Sequence, residues 1–253
     1  MTGKLIFKME LFKFLRDKSF LITAGVIGIL NIVLTLLSLS LASAFSDSYY
    51  ESTATASMIG TVAIVGVIVF FGNIIFAYVY PFHMISMDYK NNVMAMMVAS
   101  GVNRRKLFFA KIGAIFICTI ALMLMIALIP TILFLIKLVQ LDAWNDFADG
   151  FNSVFYYTDL SFGKFIFSGL LGYLNMLMVI ATACIIMKGK NLSFLLFIGF
   201  NILSSMVTGI LQTLAYSFDF SSTGSYIFQL FLTVISIVVF GYISLRTLEK
   251  QNL

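Results

Sequence analysis

The chain has 253 residues, 61% of them hydrophobic and only 11% charged, with a net charge of +5. That composition excludes an ordinary water-soluble domain, and the length leaves no room for one beside the apolar stretches described next. The excess of Lys and Arg is distributed as expected for membrane topology and attraction to an anionic leaflet. No basic groove interleaved with aromatic residues points to nucleic acid.

In chain order, residues 1–19 come first and contain GKLIFKMELFKFLRDKS. Its apolar residues lie almost all around a helix, which predicts an interfacial helix on the inner leaflet, touching neighbouring spans or a partner. A cleavable signal would have a shorter apolar run closer to the start, so the first span is expected to remain in the mature protein.

Six apolar stretches follow: Phe20–Phe45, Met58–Phe82, Leu107–Leu135, Phe165–Met187, Leu192–Tyr216 and Tyr226–Leu245. A hydrocarbon core about 30 Å thick needs about 20 helical residues, and each stretch supplies such a run free of Asp, Glu, Lys and Arg. Barrel strands would instead alternate polar and apolar residues over about ten positions. The expected fold is an all-α integral membrane protein with six transmembrane helices.

Orientation follows from the basic residues, which stay on the cytoplasmic side during insertion. Lys4, Lys8, Lys13, Arg16 and Lys18 precede the first span; Lys90, Arg104, Arg105, Lys106 and Lys111 gather in the second connection. Lys188 and Lys190 lie in the fourth connection, and Arg246 and Lys250 follow the last span. The opposite side has only Lys137 and Lys164, among Asp47, Glu51, Asp142, Asp146, Asp149, Asp159 and Asp219. Both termini are therefore expected in the cytoplasm.

The middle of the spans offers no acid or base for intramembrane catalysis or for ion coupling. His83 is the only histidine, which rules out a multi-His metal site, and its position beside Pro81 suits a polar residue at the end of the second span. Cys118 and Cys184 lie inside spans without neighbouring ligands and read as buried thiols. No phosphate-binding Gly-Lys-Ser/Thr loop is present. Catalytic and metal residues are thus expected to be none. The neutral amides Asn31, Asn73, Asn175, Asn201, Gln212 and Gln229 either hydrogen-bond between helices or line a path. Gly25, Gly28, Ser168, Gly169 and Gly172 could permit close helix approach, and Pro130 predicts a kink in the third span.

The second connection, residues 83–106, is long and unlike the others: HMISMDYKNNVMAMMVASGVNRRK. Tyr89, Val93, Met96, Met97 and Ser100 recur at helical spacing and predict a short, partly apolar helix. Gly101 can stop it, and Asn103-Arg-Arg-Lys then suits the phosphate headgroup layer. Taken alone, this pattern fits either a docking helix or an interfacial helix without a partner.

The arrangement resembles the type 2 ABC exporter permeases. In that family an acid after the second span precedes a short Leu/Met-rich helix, a Ser/Pro-Val-Ser/Asn-Arg-Arg turn and an apolar run containing Ala-Lys. Asp88, the segment Asn92–Ala99, Ser100-Gly-Val-Asn-Arg-Arg-Lys106 and Ala110-Lys111 stand at those places here. This chain departs by having Asp88 for the more usual Glu, Asn92 near a common Gly, and Gly101 at the usual Pro position.

The resemblance implies a single permease domain over residues 1–253, with a cytoplasmic coupling helix between the second and third spans. Asp88, Tyr89, Asn92, Val93, Met96, Met97, Arg104, Arg105 and Lys111 would then serve the contact with a separate ATPase subunit. Met suits a groove that changes shape, and Arg104, Arg105 and Lys111 would fix the segment against lipid phosphate or that partner. ATP and Mg would belong to the ATPase subunit, and this chain would bind no cofactor. A second permease copy or paralogue would complete the passage.

The resemblance further implies a bacterial plasma membrane and a path lined by Phe70, Asn73 and Phe76 with Asn201, Ser205, Thr208 and Gln212. Among such permeases the compact size looks like the exporters of amphipathic peptides, including phenol-soluble modulins, and the permeases for lantibiotic immunity. Lipid, polymer or drug cargo is the alternative, ahead of a channel or an enzyme outside this family. The outer connection, residues 137–163, carries Trp144, Phe147, Phe151 and Phe155 at helical intervals, as an outer interfacial helix or an exit surface would.

Overall fold

The structure, a computed structural model, describes residues 3–46, 72–74, 76–140, 144–145, 148–149, 152, 161–216 and 222–251. Among the described residues the fold is all-helical and has no strand. Helix α1 is Gly3–Arg16 and α2 is Lys18–Ser46. Residues 76–90 form the continuous part of α3, followed by α4 (Val93–Ala99) and α5 (Arg104–Gln140). The last three are α6 (Phe162–Ile186), α7 (Ser193–Tyr216) and α8 (Ser222–Lys250).

Four of these, α5 to α8, are long and apolar enough to cross a membrane, and a fifth span arises if Gly3–Arg16 and Leu21–Leu37 are taken as one. The expected second span is described only at residues 72–74 and 76–82 and enters no such count. The chain is therefore a helical protein of transmembrane character with four or five candidate spans among the described residues. Helix α5 continues through Pro130.

Two compact units partition the chain. One comprises Met1–Phe12, Pro81–Phe116 and Asp159–Leu253; the other comprises Lys13–Tyr80 and Ile117–Thr158. In the first, α6 is the central element, because every residue from Met176 to Ile185 is buried. A helix apolar on all sides belongs in such a place. It packs on α8 and α7, which also touch each other.

Thr182 Oγ1 donates to Met178 O at 2.7 Å and lies 2.7 Å from Ser244 Oγ and 3.1 Å from Phe240 O. These hydroxyls cross-link α6 and α8 where no water competes. The outward faces of α7 and α8 carry Ile202, Leu203, Met206, Ile227, Phe231 and Val238, as lipid-facing helices do. In the second unit, Asn31 Nδ2 donates to Asn73 Oδ1 at 3.4 Å. Phe76 stacks on Tyr80 at 5.6 Å between ring centroids.

Helix α6 ends through a left-handed turn at Lys188 (φ 50°) and Gly189 (φ 69°). The Gly189 N–H donates to Cys184 O at 2.9 Å and the Lys188 N–H to Ile185 O at 3.2 Å, the paired bonds that close a helix C-terminus. Gly189 also lies hard against α3: a Cβ there would meet Ser86 O and Tyr89 Cβ, each at 2.8 Å. Gly101 has a similar φ of 81° but open space around it. Replacing Gly101 by Ala is expected to cost about 1–2 kcal/mol for its backbone conformation alone. Gly189→Ala adds a collision with a backbone oxygen and is expected to lower the thermal midpoint of the detergent-solubilised protein clearly further. Equal shifts for the two variants would contradict this packing.

Candidate functional site

The end of the first unit that carries α4 gathers the end of α3, the start of α5, the end of α6, the start of α7 and the end of α8. The contacts are explicit. Lys90 Nζ donates to Asn191 Oδ1 at 3.1 Å, joining α3 to the α6–α7 turn. Tyr89 Oη donates to Gln251 Oε1 at 3.4 Å, and Gln251 Nε2 donates to Ile185 O at 2.5 Å.

The connection is shorter than its sequence predicts. Instead of stopping near His83, α3 runs through Pro81 to residue 90. Proline already has a helical φ and forfeits one hydrogen bond, and nothing from His83 to Lys90 breaks a helix. Tyr89 therefore belongs to α3 and is buried, not part of the short helix. Burial is the main cause that pushes its phenol up, with the Arg104 guanidinium pulling it partly back.

Asn91 and Asn92 make the turn. Asn92 takes the left-handed conformation (φ 55°, ψ 18°), which a short polar side chain tolerates. Helix α4 begins at Val93 and closes with Val102 N–H donating to Met97 O and Gly101 N–H to Val98 O. Buried Val102 is the apolar residue that accompanies such a cap. Asn103 then caps α5, its Oδ1 accepting from the Arg105 N–H at 2.9 Å.

Within α4 the side chains divide by face. Met94 is buried, Val93 and Met97 are half-buried, and Met96 is 63% exposed. The expected stripe is thus split: Met96 leads the exposed face, while Met94 fastens the helix from below. Asn92 is exposed, as is Ser100, whose Oγ donates to Met97 O at 2.8 Å.

The charged residues have other partners than expected. Lys111 is 3% exposed and forms an ion pair with Asp88, itself 2% exposed. Glu10 of α1, fully buried, lies 3.9 Å from the same ammonium. Lys111 therefore faces inward, toward α3 and α1, and not toward lipid phosphate or a partner as the resemblance implies. Sequence reasoning passed over Glu10, although it was legible as the one acid in an otherwise apolar and basic helix.

Arg104 is likewise turned to protein. Its Nη1 lies 2.7 Å from Leu248 O and 2.8 Å from Glu249 O and Gln251 O, so that its two N–H groups are shared among three carbonyls. The first two are terminal carbonyls of α8, which have no partner within their own helix, and the third lies just past its end. Arg105 pairs with Glu249 at 2.5 Å on the exposed surface. Glu249 and Gln251 also escaped the sequence reading, because nothing in the sequence links the end of α8 to the start of α5.

Of the residues expected along a path, Phe70 lies outside the described residues. Asn73 is half-buried and Phe76 buried in the second unit. In the first unit Ser205 Oγ donates to Asn201 Oδ1 at 3.4 Å, and Thr208 Oγ1 donates to Ser204 O at 2.9 Å. An open furrow on α7 is lined by Ser205, Met206, Gly209, Ile210, Thr213 and Leu214; Gln212 is half-buried beside it. In the outer connection Trp144 is half-exposed and residues 144–145, 148–149 and 152 are helical, whereas Phe147, Phe151 and Phe155 lie outside the described residues. Among the described residues, no group of His, Cys, Asp or Glu could hold a metal ion. No protein-family model, curated protein or solved structure matches the chain.

A buried ion cluster is costly to break because the surviving groups stay out of water and lose their counter-ion. Lys111→Met is expected to destabilise the protein by about 3–5 kcal/mol in denaturant titration, and adding Glu10→Leu and Asp88→Leu is expected to recover most of that loss. A Lys111→Met variant as stable as the parent would remove the cluster from the account. The Arg105 hydrogen bond holds the Glu249 carboxyl below the usual carboxylate range. The pair's contribution is therefore present above the unfolded carboxylate value and is lost as pH falls through the lowered one. The Glu249 carboxyl carbon shift, followed by NMR, is expected to titrate below a peptide glutamate and to return to the ordinary range in Arg105→Ala. An ordinary midpoint in the parent protein would mean that the pair does not form.

Proposed function

We propose that this chain is the membrane subunit of an ATP-driven exporter of the type 2 ABC kind, with α4 as the helix on which a separate ATPase subunit docks. The observation that carries the reading is the short helix with exposed Met96, presented between α3 and α5 while Met94 anchors it from beneath. A surface that must transmit force needs both parts: an adaptable apolar contact and a foundation that does not yield. The Asp88–Lys111–Glu10 cluster and the Arg104 contacts supply that foundation.

In this reading the short helix faces the bacterial cytoplasm, as do both chain termini. ATP and Mg bind the partner, which performs hydrolysis, and a second permease copy or paralogue completes the passage. The spans suit amphipathic peptide or another hydrophobic cargo, because the furrow on α7 mixes Ser205 and Thr213 with Met206, Ile210 and Leu214 and has no fixed charge. Lipid, polymer and drug cargo share that chemistry, so export itself, not the identity of the cargo, is what the docking helix supports.

Met96→Asp with Met97→Asp places one charge on the exposed face and one at its half-buried edge, and leaves the Met94 anchor in place. The variant is expected to insert in the membrane normally and to lose co-purification of a subunit bearing phosphate-loop and ABC signature motifs. Undiminished co-purification would overturn the assignment of α4.

A further inference from the structure

Helix α4 has only seven residues, too few to hold a position by itself, so something must fix it. We propose that the end of α8 does this: Arg104 and Gln251 are positioning residues that fasten both flanks of α4 to the ends of α6 and α8, so that α4 and the end of α8 hold or open as one unit. The proposal takes a partner on α4 from the reading above, while the fastening itself stands on separate contacts.

The C-terminal flank is held through Arg104, the first residue of α5, five residues after Ala99 closes α4. Carbonyls at a helix C-terminus carry partial negative charge and lack intrahelical donors. A guanidinium is suited to them because it is always charged and donates in a fixed plane. Arg104 reaches three, those of Leu248, Glu249 and Gln251, at 2.7–2.8 Å. Moving the start of α5 away from α8 would break all of them together.

The N-terminal flank is held through Gln251. Its Oε1 accepts from Tyr89, four residues before α4 begins, and its Nε2 donates to Ile185 O near the end of α6. One amide thus joins α3, α6 and α8. The end of α8 cannot slide freely, because Leu248 is fully buried and Ser244 lies 2.7 Å from Thr182 one turn deeper. Gly189, packed on Ser86 and Tyr89, keeps the end of α6 against α3.

The test is amide hydrogen exchange, read by mass spectrometry on the full chain in nanodiscs. In Arg104→Ala and in Gln251→Ala, exchange at residues 93–103 is expected to rise about tenfold together with that at 245–251, since both segments open as one unit. Exchange at the buried centre of α6, Met176–Ile185, is expected to stay unchanged, which separates release of α4 from general unfolding. Arg104→Lys is expected to restore part of the protection, and Arg105→Ala, which removes only the exposed pair with Glu249, to leave residues 93–103 as in the parent.

A rise confined to 245–251 in both variants would make these contacts a simple helix cap and would overturn the proposal. Should Arg104→Ala prove unfolded, Gln251→Ala decides the matter alone by the same readout. Docking is read independently by the Met96→Asp/Met97→Asp variant. Loss of the docking result leaves the exchange result standing, and unchanged exchange at residues 93–103 leaves the docking result standing.

Discussion

Helix ends are the controlling constraint in this protein. Within a span every backbone group is satisfied by its own helix, but the last carbonyls of each helix are not, and apolar surroundings make that deficit expensive. At the end of the first unit that carries α4, several helices terminate together, and their needs are met mutually. Arg104 of α5 donates to the last carbonyls of α8, Gln251 beyond α8 donates to Ile185 of α6, and Gly189 returns a bond to Cys184. Capping and tertiary assembly are the same set of bonds.

The Asp88–Lys111–Glu10 cluster obeys a different logic. Burying ions recovers little net stability, since desolvation offsets most of the attraction. What such a cluster provides is directionality: an apolar patch can slide, whereas an ammonium between two carboxylates has one place to be. It ties α1 and α3 to α5 just beside the connection that holds α4. The apolar work is done elsewhere, by the centre of α6 packed against α7 and α8. Stability and register are thus supplied by separate parts of the unit, which leaves the exposed face of α4 free for a partner in the reading proposed.

Much of the secondary structure was legible because its cause is local. Uninterrupted apolar runs give long helices wherever they occur, and α5, α6, α7 and α8 begin and end within a few residues of the charge and turn signals around them. Asn92 and Gly101 bracket α4 because each tolerates a left-handed backbone that other residues resist. The end of the second span differs in the other direction: the apolar run stops at Phe82, yet α3 continues to residue 90, so Tyr89 belongs to it and not to the short helix.

The sequence by itself determined the helical, membrane-spanning character of the chain and the presence of a short Met-bearing helix between two longer ones, since both follow from hydrophobic length and from residues that start and stop helices. Only the tertiary structure decided which charges face inward. Lys111 and Arg104 look alike as basic residues at the start of a span, but one is committed to carboxylates from α1 and α3 and the other to the carbonyl end of α8. Their partners lie far away in sequence, at residues 10 and 88 and at 248–251. An ion pair across such distances leaves no periodic signature, because it depends on which helix ends meet in space.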